Sequence, residues 1–186
     1  MRRTLAIFAG SILLAYPFLV YFGLQKHGIR VVAPFLLALF ALRVFQARPR
    51  FRDLFAASAA LSIIGTFLVI LAWVFHWGEC LLFYPVAANA LFLGVFGLSL
   101  AKPPSFCERF ARLVDGNDFP ESAIPYARRV TQVWCALFVF NGVMALLTAL
   151  SGDMKLWTLY NGAIAYVLIA ALFCGERITR KIIFKK

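Results

Sequence analysis

Four polar side chains interrupt long apolar stretches of this sequence, and their chemistry is hydrogen bonding. They are Tyr84, Asn89, Asn141 and Asn161. An asparagine amide offers two N–H donors and an acceptor oxygen, and a tyrosine hydroxyl both donates and accepts. Such groups are seldom left unpaired away from water. The four residues are therefore candidates for hydrogen bonds between helices or for a site that binds the polar part of a ligand.

A second group of candidates lies in the long polar interval between Lys102 and Val130. It combines aromatic and basic side chains, namely Phe106, Arg109, Phe110, Arg112, Arg128 and Arg129. Two interpretations are open for this group. It is either a connector that basic residues anchor at a membrane surface, or a face that binds anionic lipid headgroups or a protein partner.

Motifs for catalysis or metal binding are missing from the sequence. It contains no G-x-S-x-G or H-E-x-x-H pattern and no phosphate-cradling glycine loop. The four cysteines, Cys80, Cys107, Cys135 and Cys174, form no C-x-x-C pair. The sequence therefore predicts no catalytic residue, no metal site and no cofactor.

The composition indicates what kind of scaffold must hold these residues. Hydrophobic residues make up 63% of the 186 residues, charged residues make up 15%, and the mean hydropathy is +0.85. Soluble domains are roughly 45–50% apolar and about 25% charged. Because the apolar runs are continuous rather than alternating, they predict an all-α polytopic membrane protein and not a β-barrel.

The lengths of the runs predict six transmembrane helices within one integral membrane domain spanning residues 1–186. The predicted spans cover about 4–24, 30–46, 54–75, 80–100, 131–150 and 156–174, with a loop at 101–130. Similar short motifs follow three of the turns, at Ala33-Pro34, Tyr84-Pro85 and Tyr160-Asn161. This recurrence suggests three helical hairpins in series.

The positive charge is distributed unequally between the two sides of this arrangement. Of the 19 Lys and Arg residues, all but Lys26, Arg30 and Lys155 fall on the side of the N-terminus. Because basic loops stay in the cytoplasm, both termini are expected to be cytoplasmic. Anionic lipid headgroups of the inner leaflet then account for the net charge of +11, and no nucleic-acid partner is predicted.

The loop is predicted to contain an amphipathic helix over Ser105–Val114. Ser105 and Glu108 fit an S-x-x-E capping box directly after Pro103-Pro104. Phe106, Phe110 and Leu113 recur at helical spacing, and Glu108, Arg109 and Arg112 are expected to turn away from them. We expect this helix to lie on the cytoplasmic leaflet and to end at Asp115-Gly116, with an ordered loop from Asn117 to Pro125.

The helical rise places two of the asparagines at similar depth. Asn89 lies roughly 14 Å from the start of the fourth span and Asn141 roughly 15 Å from the start of the fifth. Both positions are near the middle of a hydrocarbon core that is about 30 Å thick. An asparagine at this depth needs a partner, and bonding between Asn89 and Asn141 across antiparallel helices would supply one. A polar substrate or lipid-carrier site is the alternative.

Part of the chain resembles the bacterial intracellular septation protein A family. The resemblance covers roughly Leu82 to Cys174 and rests on Leu100–Pro104, Glu108–Phe110, Trp134, Phe138, Gly142 and Trp157. It implies a small inner-membrane protein involved in envelope organisation and division. The loop from Asn117 to Tyr126 looks longer than in that family.

The whole chain looks more like an uncharacterised family of bacterial inner-membrane proteins often encoded beside aryl-polyene or ketosynthase-type lipid genes. The likeness rests on Tyr84-Pro85, Asn89, Lys102–Arg112, Val130-Thr131, Trp134 and Asn141. It implies an accessory or scaffold protein of envelope or lipid-pathway assembly. The alternative is a small transporter or flippase for a lipid-linked product that uses Asn89 and Asn141. A membrane enzyme is the least favoured class.

Overall fold

The computed structural model describes residues 16–46, 52–115 and 119–184, and all regular structure within these ranges is helical. The α-helices are α1 (Tyr16–His27), α2 (Ile29–Gln46), α3 (Arg52–Val74), α4 (Tyr84–Ala101), α5 (Phe106–Asp115), α6 (Ile124–Leu150), α7 (Met154–Leu159) and α8 (Ala165–Ile183). Short 3₁₀ segments, Gly78–Phe83 and Glu121–Ala123, precede α4 and α6. A π-helical turn, Tyr160–Ile164, joins α7 to α8 without a break.

Four stretches within the described residues are long and apolar enough to cross a membrane. They are Ala56–Val74, Gly78–Ala101, Glu121–Leu150 and Met154–Ile183. No more than 33% of each is buried inside the protein, so most of their apolar surface is turned outward. Apolar surface of this extent is a membrane-contacting feature. Over the residues that the structure describes, the chain is all-helical and has four helices suited to a membrane.

The other two predicted spans are not established. Residues 4–15, the larger part of the first predicted span, lie outside the described residues. The second span, predicted at 30–46, coincides with α2, but its apolar stretch Arg30–Ala41 is shorter than a full crossing. The hairpin repeat stays a prediction.

Two helices run further than the spans predicted there. α6 begins at Ile124 rather than near 131, since Pro125 sits in its first turn, where proline is favourable. α8 continues to Ile183 rather than ending near 174, and Arg180 and Lys181 in its last turn suit the negative end of the helix dipole. The turn predicted at Asp115-Gly116 falls partly on residues 116–118, which lie outside the described residues.

The larger core cluster surrounds the 3₁₀ segment before α4. Two buried side chains donate to backbone oxygens there, Tyr16 Oη to Leu81 and Trp157 Nε1 to Leu82, each at 3.0 Å. Leu81 O also accepts from the backbone N–H of Tyr84, so the Tyr16 hydroxyl adds a second bond to that carbonyl. The two side-chain bonds fix α1 and α7 against the beginning of α4.

A smaller cluster joins the opposite end of α6 to α5. It contains Ala111, Phe119, Ala123 and Ala127, with Cys107, Ile124 and Phe184 packed against it. Between the two clusters, α4 and α6 form the most extensive helix pair of the described structure. The candidate site lies along this pair.

Candidate ligand-binding cavity

A cavity of about 420 Å³ opens between the helices beside the α4–α6 pair. Its lining comes from α1, α3, α4, α6 and the π-turn with α8. All four polar residues singled out in the apolar segments, Tyr84, Asn89, Asn141 and Asn161, contribute to that lining. The structure therefore brings these residues to one place, although they lie on different helices.

One face of α4 follows the cavity over most of its length. The contributing residues, Tyr84, Pro85, Ala88, Asn89, Phe92 and Phe96, recur with the period of a helix. At 1.5 Å per residue, the distance from Tyr84 to Phe96 is roughly 18 Å along the helix axis. The cavity is therefore elongated, and its long direction follows the direction in which α4 would cross a membrane.

One end of the cavity is aromatic. The Phe138 ring lies 5.5 Å from Phe92 and 5.1 Å from Phe96, and Trp134 lies 6.3 Å from Phe96 between ring centroids. Sequence reasoning did not select Phe92, Phe96 or Phe138 as site residues. A signal was present on α6, because Trp134, Phe138 and Asn141 follow the spacing i, i+4, i+7 of one helix face.

Asn141 presents an unusual hydrogen-bonding state within this cavity. Its side chain is 1% exposed, and its Oδ1 accepts a hydrogen bond of 2.8 Å from the Tyr160 hydroxyl. The Nδ2 group of Asn141 is buried and has no hydrogen-bond partner in the described structure. An unpaired buried donor costs about 1–3 kcal/mol, so a partner supplied by a ligand would be favourable.

The predicted bond between Asn89 and Asn141 is wrong, although the two helices do meet there. A Cβ atom placed on Gly142 would lie 3.3 Å from the Cβ of Asn89. Asn89 instead donates from Nδ2 to Pro85 O at 2.8 Å, within its own helix. The π-turn brings Tyr160 to Asn141, and this hydroxyl takes the position that Asn89 was expected to fill.

Asn161 occupies a more fully bonded position, and Tyr84 is held by ring contacts. Asn161 Nδ2 donates to Thr148 Oγ1 at 3.2 Å and to Trp157 O at 3.0 Å. Tyr84 is buried in an aromatic group, with its ring centroid 4.7 Å from Tyr16 and 5.5 Å from Phe40. These residues form a rigid wall of the cavity.

The cavity is uncharged. None of the residues lining it is Asp, Glu, Lys, Arg or His. Within the described ranges, no group of three or more His, Cys, Asp and Glu side chains lies close enough to hold a metal ion. What the lining can do chemically is to form hydrogen bonds and apolar contacts.

The loop helix α5 is attached beside the aromatic end of the cavity. The backbone N–H of Phe106 donates to Ser99 Oγ at 2.8 Å, and that of Cys107 donates to Thr131 Oγ1 at 3.2 Å. The predicted capping box is wrong, because Ser105 Oγ is buried and makes no hydrogen bond in the described structure. Side chains of α4 and α6 therefore cap α5. The Phe106 ring also stacks on Phe96, 4.0 Å between centroids.

The two faces of α5 differ from the prediction at two residues, because Phe106 packs inward on Phe96 instead of joining the outward strip and Glu108 is buried. Glu108 is 6% exposed rather than turned outward, and it forms an ion pair of 3.0 Å with Arg112. The Arg112 guanidinium also lies 5.0 Å from the centre of the Phe119 ring, and this cation–π contact holds Phe119 against α5. Phe110 and Leu113 are 42% and 56% exposed and form an outward apolar strip.

The remaining basic candidates are at the beginning of α6 and in the middle of α5. Arg128 and Arg129 are exposed, whereas Arg109 is half-buried. Beside them, burial raises the pKa of the Cys107 thiol from 9.0 to about 11. This thiol is therefore neutral at physiological pH and is a poor nucleophile.

No family model, no curated protein and no solved structure matches this chain. Its function is therefore inferred from the cavity and the loop helix.

Proposed function

We propose that this chain is a non-catalytic membrane protein that holds a lipid-like molecule in the α4–α6 cavity. In this role it serves as an accessory or scaffold protein in the assembly of the cell envelope or of a lipid pathway. The observation that carries the proposal is the cavity itself, which is elongated, aromatic at one end and supplied with an unpaired amide donor. Its volume falls within the roughly 300–1,000 Å³ of small-molecule sites.

The shape and chemistry of the cavity favour an amphipathic occupant over a polar metabolite. The aromatic end offers apolar contacts to a hydrocarbon chain, and each buried CH₂ group contributes about 0.8 kcal/mol. A polar metabolite would leave several of its own groups unpaired against this lining. The envelope or lipid-pathway setting comes from the family resemblance and belongs to the proposal.

A quenching experiment tests binding. The protein is placed in nanodiscs of ordinary phosphatidylcholine, and a monoacylglycerol with a dibrominated chain is added at low mole fraction. Bromine quenches tryptophan on contact, and the contribution of Trp134 is the difference between wild type and Trp134→Phe. We expect saturable quenching of Trp134.

A matched pair of variants on α4 controls this experiment. Ala88 lines the cavity, so Ala88→Phe fills it and should abolish the saturable component. Ala90 is exposed two residues further on, so Ala90→Phe should leave the component unchanged. Quenching that rises linearly with the mole fraction of the probe, and that is the same in Ala88→Phe as in wild type, would contradict the proposal.

A transporter or flippase for a lipid-linked product is the second candidate. The length of the cavity along α4, roughly 18 Å, favours it because this is more than half of a bilayer core about 30 Å thick. Liposomes with a fluorescent lipid distinguish the two. A transporter predicts transfer between leaflets that Asn141→Leu slows, whereas an accessory protein predicts binding without transfer.

The finer topology is also part of the proposal. Six spans with both termini cytoplasmic, in a bacterial inner membrane, account for the distribution of Lys and Arg. The exposed Arg128 and Arg129 at the beginning of α6 are suited to contact anionic headgroups. Reporter fusions at Met154 and at Lys186 test this topology, and an external Lys186 would contradict it.

α5 is proposed to lie on the cytoplasmic leaflet with Phe110 and Leu113 in contact with lipid. Burying each of these side chains contributes about 1.5–3 kcal/mol, against about 1 kcal/mol for each basic residue near anionic lipid. Phe110→Ser with Leu113→Ser should therefore increase protease cleavage of residues 116–123 in inverted vesicles more than Arg128→Gln with Arg129→Gln. Equal cleavage in both variants and in wild type would instead favour a strip covered by a protein partner or left in water.

A further inference from the structure

We infer that the cavity selects an uncharged amphipath whose polar group combines a carbonyl acceptor with an adjacent hydroxyl or N–H donor, such as a monoacylglycerol or an N-acyl amide. This inference rests on the proposed function, because it assigns the ligand class of the same cavity. Three asparagines, each in a different hydrogen-bonding state, carry it.

The acceptor requirement comes from Asn141. Tyr160 donates to its Oδ1 at 2.8 Å, and Nδ2 is the group left without a partner in the described structure. An N–H donor is satisfied by an oxygen acceptor. An ester or amide carbonyl supplies one without bringing a charge into the cavity.

The donor requirement comes from the other two asparagines. Asn89 donates to Pro85 O, and Asn161 donates to Thr148 Oγ1 and Trp157 O. Both N–H groups of Asn161 and one of the two N–H groups of Asn89 are thus engaged by the protein, and both side chains can offer their oxygens to a ligand. An oxygen acceptor matches a hydroxyl or an N–H of the ligand.

The requirement for neutrality comes from the rest of the lining. The cavity walls contain no basic residue that could pair with a carboxylate or phosphate and no acidic residue that could pair with an amine. A charge taken out of water without a counter-charge is strongly disfavoured. A phospholipid or an ionised fatty acid is therefore excluded from the polar end, while a neutral ester or amide is accepted.

The test is displacement of the brominated monoacylglycerol by unbrominated competitors of matched chain. The competitors are monoolein, oleamide, oleate at about pH 9, where the carboxylate is ionised, and a long-chain alkene without a polar group. We expect monoolein and oleamide to displace the probe at concentrations at least about tenfold lower than oleate or the alkene. Because these competitors are compared on the unaltered protein, this arm does not depend on a variant that folds.

The Asn141→Leu substitution provides the second arm. It should weaken the binding of monoolein about tenfold, to the affinity of the alkene, and leave the affinity of the alkene unchanged. Ser62→Ala is the control. It removes another buried hydroxyl, which is bonded to Ser58 O and lies outside the cavity lining, and it should change the affinity of neither monoolein nor the alkene.

The possible results separate the inference from the function on which it rests. Tighter binding of oleate than of monoolein, or equal displacement by all four competitors, would overturn the ligand class while leaving a lipid-binding cavity. Absence of any saturable probe binding would overturn the proposed function and the inference together.

Discussion

The side chains that cap α5 make the sharpest structural prediction, because sequence and structure assign the cap to different residues. The sequence pattern assigns it to Ser105, whereas the structure assigns it to Ser99 on α4 and Thr131 on α6. Ser99→Ala and Thr131→Val each remove one acceptor and leave one amide of the first turn unsatisfied. Ser105→Ala removes a buried hydroxyl that makes no hydrogen bond.

The size of the effect follows from the energetics of helix caps. Loss of a capping side chain costs about 0.5–2 kcal/mol, which corresponds to an increase of about 2- to 30-fold in local opening. Both acceptors are buried, so water does not readily replace them, and the upper half of this range is expected. Ser105→Ala should change opening by less than about twofold, since no bond is lost.

Hydrogen exchange in nanodiscs measures this opening directly. Peptides that cover 104–115 should exchange faster in Ser99→Ala and in Thr131→Val, and at the wild-type rate in Ser105→Ala. Peptides from the middle of α6 serve as the internal reference. Faster exchange in Ser105→Ala, with no change in the other two variants, would refute the tertiary cap and restore the capping box.

Two further predictions concern packing and pH. A Cβ on Gly65 would collide with the buried Phe40 ring, so Gly65→Ala should destabilise the protein by about 1–3 kcal/mol, seen as a lower melting temperature in detergent. Gly94→Ala, where a Cβ meets nothing within 4 Å, is the control, and an equal loss in both would contradict the α2–α3 contact. In a variant whose only cysteine is Cys107, burial raises the thiol pKa to about 11 and keeps the reactive thiolate scarce. Alkylation at neutral pH should therefore be roughly 10- to 100-fold slower than in denaturant and should accelerate as the pH rises towards about 11. A rate equal to that of the denatured chain at neutral pH would show that the thiol is not buried.

Much of the helical architecture could be predicted because apolar run length and turn residues are local signals. The four described membrane-length helices lie where continuous apolar runs were seen, and Gly28 and Gly152, which adopt positive φ, lie between predicted spans. Asn89, Asn141 and Asn161 were selected from sequence because a polar residue inside an apolar run is conspicuous. Which of them bonded to which could not be predicted.

The missed features depend on residues distant in sequence. Tyr160 reaches Asn141 only because a π-helical turn changes the helical register between α7 and α8. The backbone N–H of Cys107 is capped by Thr131, which lies 24 positions away in the sequence. No local sequence pattern indicates that these two residues meet. The buried position of Glu108 likewise follows from the packing of α5 on α6.

Photo-crosslinking tests the central claim, that the cavity holds a lipid chain, most directly. A monoacylglycerol with a diazirine in its chain is irradiated in nanodiscs with the protein, and mass spectrometry locates the adducts. The account predicts adducts on Phe92, Phe96, Trp134 and Phe138 that unlabelled monoolein suppresses and that Ala88→Phe removes. Adducts confined to outward-facing residues such as Phe67, Val139 and Phe140, with none in the cavity, would contradict it.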